Sequence, residues 1–321
     1  MSRRIRRGAS YSFRDRVVVI TGGSRGLGLL MARELAKAGA KIALLARSEA
    51  DLGRAWAELA DHSVDVLTVP CDVRQREQVE ESIRLVGERF GRIDVVINNA
   101  GIIQVGPLAH VTLQDFEDAM AVHLYGPVYT TMAALPYLRR NGSGRIVNIS
   151  SIGGKVAVPH LLPYVASKFA LSGFSEALQA ELRREGILVT TVYPALMRTG
   201  SPPNALFKGK HKQEYAWFAV MDSLPLLSMS ADRAARKILA AARRGSPRLA
   251  LGIQTKAAIV LNDLFPNATA RLLAIMNNLL PSADPGSGTA AYSGKESQSA
   301  VAPSLLTRLS DRAGLRNNET S

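Results

Sequence analysis

The sequence predicts an α/β chain: one main domain on a doubly wound parallel sheet, followed by a helical C-terminal extension. Three observations carry this. Apolar runs of five to seven residues alternate with longer stretches of helical period. The runs are hydrophobic throughout, as parallel strands covered on both faces are, and do not alternate with polar residues. The first run leads at once into a glycine-rich turn and a helix, at the carboxyl end of a strand where such sheets take their ligands.

The elements follow in order. VVVIT at 17–21 is the first strand, and the helix after the glycine-rich turn runs through LLMARELAKAG to a stop at Gly39. IALLAR is the second strand, an alanine-rich helix reaches about Asp61, and VDVLTVP is the third strand. Asp72 is placed to cap the next helix, which extends to Phe90. IDVVINNAG gives the fourth strand and a turn. DFEDAMAVHLYGPVYTTMAALPYL then forms a long helix, bent near Gly126 and Pro127. RIVNIS is the fifth strand, a helix covers about 164–184, and ILVTTVYP is the sixth strand. Residues 196–229 carry few element signals and read as a substrate lid. ADRAARKILAAARR is a helix and RLALGI a last strand; 256–265 and 268–280 are helices with apolar faces. The domain division is therefore a basic arm at 1–13, the main domain at 14–252, a helical extension at 253–281 and a mobile tail at 282–321, with a short helix near 304–313.

Composition excludes several classes. The chain has 321 residues, 47% hydrophobic and 21% charged, too apolar for a disordered protein. Its 26 glycines have no period of three, which excludes a collagen-like chain. The single cysteine, Cys71, excludes a disulfide scaffold and permits a reducing, cytoplasmic compartment. Six arginines in the first sixteen residues help raise the formal charge to +13, but GASYSF follows where a signal peptide needs an apolar stretch. The arm is either solvated or in contact with lipid head groups or a polyanion; no spanning helix is expected. No nucleic-acid partner and no metal site are expected.

The cofactor signal lies in Gly22, Gly23, Ser24, Arg25, Gly26, Leu27 and Gly28. Gly22 allows a tight turn, Gly26 lets the backbone approach a pyrophosphate, and Gly28 allows close helix–strand contact beside unpaired N–H groups. The spacing differs from GxGxxG. The second strand ends in Arg47, with no carboxylate for a ribose 2′-hydroxyl, so Arg25 and Arg47 are positioned to hold a 2′-phosphate. NADP(H) is the expected cofactor. Asp72 and Val73 bracket the adenine, and Asn99, Ala100 and Gly101 stand beside the ribose.

Tyr164 and Lys168, four apart, share one helix face. A tyrosine hydroxyl is a poor base at its free pKa of about 10. A nearby ammonium favours the phenolate and can also hold the nicotinamide ribose. Ser151 precedes Tyr164 by 13 residues and can bond the substrate oxygen as charge develops.

With these residues in place the chain, over about 14–250, resembles a single-domain short-chain dehydrogenase/reductase with a C-terminal extension. The resemblance rests on TGGSRGLG at 21–28, NNAG at 98–101, the serine of NISS at 151 and the Tyr164/Lys168 pair. The resemblance implies a Rossmann fold and a nicotinamide-side loop at Pro194, Ala195, Leu196, Met197, Arg198 and Thr199. It also implies a homodimer or homotetramer formed through the helices carrying His123 and Tyr164. Two residues depart from the family pattern. His123 stands where an asparagine usually sits beside a water-holding kink; it either joins the proton relay or is a packed side chain. Ala195 replaces a usual glycine and would be strained if the backbone there needs positive φ.

The expected reaction is NADP(H)-dependent interconversion of a lipophilic ketone or aldehyde and an alcohol. The lid residues Leu206, Phe207, Tyr215, Trp217, Phe218 and Met221 favour a lipophilic small-molecule substrate. Lys208, Lys210 and Lys212 either steer an acidic head group or form a solvated face. The extension either covers the lid, contacts another subunit or rests on a membrane. The alternatives are epimerisation or dehydration with retained cofactor, or a non-catalytic nucleotide-binding scaffold at a membrane.

Overall fold

The computed structural model describes residues 11–224, 228–283, 285–304 and 307–319. Most of the basic arm, with Arg3, Arg4, Arg6 and Arg7, lies outside the described residues, as do 225–227 of the lid. The strands are β1 (Val17–Thr21), β2 (Lys41–Ala46), β3 (Val66–Pro70), β4 (Val95–Asn98), β5 (Gln104–Val105), β6 (Gly144–Ile149) and β7 (Ile187–Tyr193). Short strands β8 (Leu196–Arg198), β9 (Leu206–Phe207), β10 (Ser228–Ser230), β11 (Arg248–Ala250) and β12 (Tyr292–Ser293) follow. The helices are α1 (Gly26–Lys37), α2 (Glu49–Ala60), α3 (Arg76–Phe90), α4 (Leu113–Met120), α5 (Gly126–Arg140) and α6 (Leu162–Leu182). They continue as α7 (His211–Ser223), α8 (Ala231–Arg244), α9 (Ile253–Leu264), α10 (Pro266–Asn277) and α11 (Arg308–Arg316).

Seven strands form the main sheet in the order β11-β7-β6-β4-β1-β2-β3, every pair parallel. The doubly wound Rossmann sheet is thus as predicted. Strand order reverses between β1 and β4, so the crevice opens at their carboxyl ends. Val17, Val18, Val19 and Ile20 of β1 are fully buried because each face of the sheet carries a core. Leu29, Met31, Leu35, Ile238 and Ala242 pack on one face; Val79, Ile83, Val86, Leu135 and Leu138 pack on the other.

A buried acid anchors the edge of this core. Asp94 has no exposed surface; it accepts from Arg16 Nη1 at 2.9 Å, from the Val17 amide at 3.0 Å and from Arg92 at 2.6 and 2.8 Å. A second polar seam crosses the sheet: Asn98 donates to Asn148 at 2.8 Å, Asn148 to Ser175 at 2.9 Å, and Ser175 meets Thr191 at 2.7 Å. It ties β4, β6 and β7 to α6.

Three expectations change, and the bend expected near Gly126 takes a specific form. Asp72 does not cap α3, whose N-cap is Gln75; its carboxylate turns back to the Arg74 amide and guanidinium, a nearer and charged pair of donors. The long helix bends as a π-turn at Ala121–Tyr125, with the Gly126 amide bonded to the Ala121 carbonyl five residues back. The lid is richer in structure than its sequence pattern suggests. Two of its charged residues, which read as loop, are buried in pairs: Lys208 with Asp115 at 2.5 Å, and Glu214 with His160 at 2.8 Å. Lys208 is thus internal and is not part of a solvated face. Finally, the tail that composition predicts to be mobile is packed. β12 pairs with β9, α11 lies on α7, and the chain continues to the glycine-rich turn. Many of its contacts are polar and backbone ones, which an apolar-content argument does not register, and its apolar ones rest on the small Ala302 and Ala313 and on the Tyr292–His211 stack.

Asp94→Ala removes four bonds from a fully buried carboxylate and should lower the unfolding free energy by about 2–3 kcal/mol. Burial alone raises this carboxyl's pKa, but its bonds to Arg92, Val17 and Arg16 prevail and hold it below 3.8. The contribution is therefore present at neutral pH and is lost only as pH falls below that value. Urea titration of the wild type and the variant at neutral pH checks the magnitude, and repetition in acid checks the sign.

Candidate active site

The glycine-rich turn is fixed by contact, not by bonding alone. Gly22 has φ +62°, and a Cβ there would lie 2.9 Å from the Ala100 Cα; a Cβ at Gly28 would collide with the Gly22 carbonyl. Thr21 Oγ1 accepts from the Asn99 and Ala100 amides at 3.0 and 3.1 Å, and the Asn99 side chain donates to the Thr21 and Gly22 carbonyls. Asn99 and Ala100 therefore brace the turn from β4 and, with Gly101, line the cavity in front of it.

That cavity measures about 1090 Å³. Gly22, Ser24, Arg25, Leu27, Arg47, Asp72 and Val73 line one part, and Ser151, Tyr164, Lys168, Pro194, Leu196 and Thr199 another. His123 also reaches its wall. Gly26 and Gly28 stand just behind, at the start of α1. The sequence-predicted residues thus gather around one space, with Trp217, Phe218 and Met221 of α7 and Met276, Leu279 and Leu280 after α9 closing it. Of the readings for the extension, covering the site fits this placement. Arg25 pairs with Glu319 at 3.4 Å, while Arg47 stands exposed at the rim.

Tyr164 and Lys168 sit on α6, one turn apart, with the Lys168 Nζ 5.6 Å from the Tyr164 ring centre. Ser151 accepts from the Gly153 amide at 3.0 Å and hydrogen-bonds the phenol. Lys168 donates to the Ile149 carbonyl at 2.9 Å. Burial raises the Tyr164 pKa above its ordinary value, against the bond from Ser151, and lowers that of Lys168 to about 7. The expected depression of the phenol by the ammonium is not present in this arrangement. Desolvation dominates both groups, and the lysine is turned to a carbonyl.

His123 lies on the π-turn and is almost wholly buried. The Ile102 amide donates to its Nε2 at 3.1 Å, so Nδ1 carries the proton and donates to Ser167 Oγ at 2.8 Å. Ser167 in turn donates to the Tyr164 carbonyl at 2.9 Å. Both ring nitrogens are committed, and burial together with the Lys168 charge holds the imidazole pKa well below 6.5. Of the two readings, the packed side chain fits: His123 braces the turn of α6 that carries Tyr164. Its carbonyl has no donor four residues on, because residue 127 is proline. Ala195 is free of the strain set out as a condition. Among the described residues, positive φ outside glycine occurs only at Asp15, Ser63, His160 and Asn318.

Several site residues had no sequence signal. Ser150 and Ser172 join at 2.9 Å beneath the Lys168 carbonyl and hold α6 against β6. Asn204, Asn317 and Glu319 stand at the glycine-rich end; Glu319 is buried and lines the cavity. Asp222, facing the cavity from α7 and bonded by Ser310 of α11 at 2.6 Å, is pushed up to about 7 by burial.

The family described as short chain dehydrogenase matches residues 16–205. An uncharacterized oxidoreductase of Bacillus subtilis is 33% identical over 263 residues, 81% of this chain and 72% of its own. The Mycobacterium tuberculosis protein named "Putative oxidoreductase SadH" is 34% identical over 266 residues, 82% of this chain and 95% of its own. A solved short-chain dehydrogenase from Streptomyces avermitilis superposes with a TM-score of 0.70 at 28% identity, covering 83% of this chain and 98% of that one.

His123→Ala strands the Ile102 amide and should cost about 1–3 kcal/mol of stability. With its folded pKa below 6.5, the imidazole supports the fold above that pH and loses its contribution as pH falls. Its ring 15N shifts are expected to stay those of a neutral, Nδ1-protonated imidazole between about pH 6.5 and 8, moved at most slightly as Lys168 titrates; imidazolium shifts in that window would contradict the packed assignment.

Proposed function

The chain belongs to the short-chain dehydrogenase/reductase family, and on that premise we propose that it is an NADP(H)-dependent oxidoreductase interconverting a lipophilic ketone or aldehyde and the corresponding alcohol. The observation that carries the reading is the shared cavity, which joins Ser151, Tyr164 and Lys168 to a glycine-rich turn flanked by Arg25 and Arg47. When bound, the nicotinamide supplies or accepts the hydride. Gly26 and Leu27 at the start of α1 would hold the pyrophosphate, and Arg25 and Arg47 the 2′-phosphate. Thr199 and Lys168 would hold the nicotinamide half.

The chain's own groups then act on the substrate oxygen. Ser151 donates a hydrogen bond that strengthens as negative charge develops there. Tyr164 gives its proton to that oxygen in reduction and takes it back in oxidation. A phenol raised by burial is a poor base, so its work depends on positive charge beside it. Lys168, at about 7 and turned to the Ile149 carbonyl, supplies that charge when protonated and swung toward the phenol. The lining of Trp217, Phe218, Met221, Met276 and Leu279 favours an apolar substrate.

Assembly and location are part of the same reading. Tyr125 and Met132 on the first long helix pair and Phe169 on α6 expose large apolar surfaces, at 49, 60 and 44%, which supports a homodimer or homotetramer through these helices. No helix among the described residues is long and apolar enough to cross a membrane. A cytoplasmic place, with at most peripheral membrane contact through α9 and α10, agrees with this.

Tyr164→Phe should lower turnover by at least about a thousandfold and leave NADPH binding within about twofold; turnover near the wild-type value overturns the assignment. Replacing Arg25 and Arg47 by alanine should weaken NADPH by about 10–100-fold and NADH far less. Equal losses for the two would mean that the arginines hold phosphates common to both. Fluorescence titration reads the binding, and nicotinamide absorbance on a panel of lipophilic ketones reads the turnover.

A further inference from the structure

The C-terminal segment reaches the glycine-rich turn and bonds the groups that a dinucleotide would need. The Gly26 amide, at the first position of α1, donates to the Asn317 carbonyl at 2.8 Å. Glu319 lies against Gly26, where any Cβ would strike its carboxylate, and pairs with Arg25 at 3.4 Å. Asn318 donates to the Ser24 carbonyl at 2.9 Å, and Asn317 to the Thr199 carbonyl at 2.9 Å. Asn204 donates to both the backbone carbonyl and the carboxylate of Glu319, at 2.8 and 2.7 Å.

This is a built contact. Arg33 of α1 donates to the Arg316 carbonyl at 2.7 Å, and Arg54 of α2 to Asn318 Oδ1 at 2.7 Å. α11, which delivers the segment, packs so closely that a Cβ at Gly200 would collide with the Gly314 backbone. Ser310 and Thr307 bond Asp222 and Ser223 of the lid helix. A helix start with free N–H groups favours an anion, and a carboxylate beside an arginine meets the same demand as a phosphate. A phosphate cannot share the place, because the Asn317 carbonyl already takes the Gly26 N–H and the Glu319 carboxylate already takes the Arg25 charge.

We propose that residues 317–319 are a built-in competitor of the dinucleotide, with the Glu319 carboxylate standing where a cofactor phosphate would bind, so that the cofactor must displace the segment. The inference rests on the dinucleotide reading of this site. It gives the enzyme a closed form held by its own C-terminal segment and an open form selected by cofactor. Because the segment also bonds α7 through α11, release at the turn loosens the lid.

The test compares NADPH and NADH affinity of the full chain, of a chain ending at Arg316 and of full-length E319Q. A segment closed for nine-tenths of the time lowers apparent affinity roughly tenfold, so shortening the chain should tighten binding by about that factor or more, with E319Q between. Hydrogen exchange of the full chain should show the amides of 317–319 losing protection when NADPH is added. Unchanged or weaker binding by both variants overturns the proposal, as does a segment that gains protection on NADPH binding. Should the shortened chain not fold, E319Q and the exchange experiment decide alone. If no form binds either nucleotide, the dinucleotide reading falls and takes the proposal with it; binding by all forms alike removes the proposal only.

Discussion

The architecture of the site depends on one steric constraint, the crossing of α1 over the turn that follows β1. Gly28 sits under the Gly22 carbonyl with no room for a Cβ, and Gly22 in turn lies against Ala100. Only because three backbones meet there can the start of α1 open onto the crevice between β1 and β4. Thr21 and Asn99 secure the junction with four hydrogen bonds. The cavity, its glycine-rich end and the docking place of the C-terminal segment are all consequences of that crossing.

The chemistry at the other end depends on burial. Enclosure acts in opposite directions on Tyr164 and Lys168, favouring the neutral form of each. A site so arranged is quiet until charge arrives. The same enclosure keeps His123 neutral and turns it from a titrating group into a brace for α6, through Ser167 and the Tyr164 carbonyl. The brace and the Tyr164/Lys168 pair thus come from two different elements, the π-turn and α6.

Much of this was legible in the sequence, for physical reasons. Strands buried on both faces must be apolar throughout, so VVVIT and ILVTTVY announced themselves, and the glycines marked the tight crossing. Tyr164 and Lys168 were legible because four residues make one helical turn. The lid was not, since Lys208 and Glu214 look solvated until Asp115 and His160 are seen to bond them internally. The C-terminal segment was not either. Its bonds run through carbonyls, asparagine amides and a Gly200–Gly314 contact, and none of these has a period or an apolar stripe. Asp72 misled because a carboxylate near a helix start has two uses, and the adjacent Arg74 decided between them.

The seam of Asn98, Asn148, Ser175 and Thr191 has a consequence for how this protein can change over generations. Each member is buried and satisfies its neighbour across a strand or helix boundary. Losing one strands the next, whereas exchanging Asn98 and Asn148 together for apolar residues of like volume leaves Ser175 and Thr191 paired with each other. Substitutions along this line are therefore epistatic: the second is tolerated only on the background of the first. Lineages descending from this chain should vary here in correlated pairs, beside surface positions that drift singly.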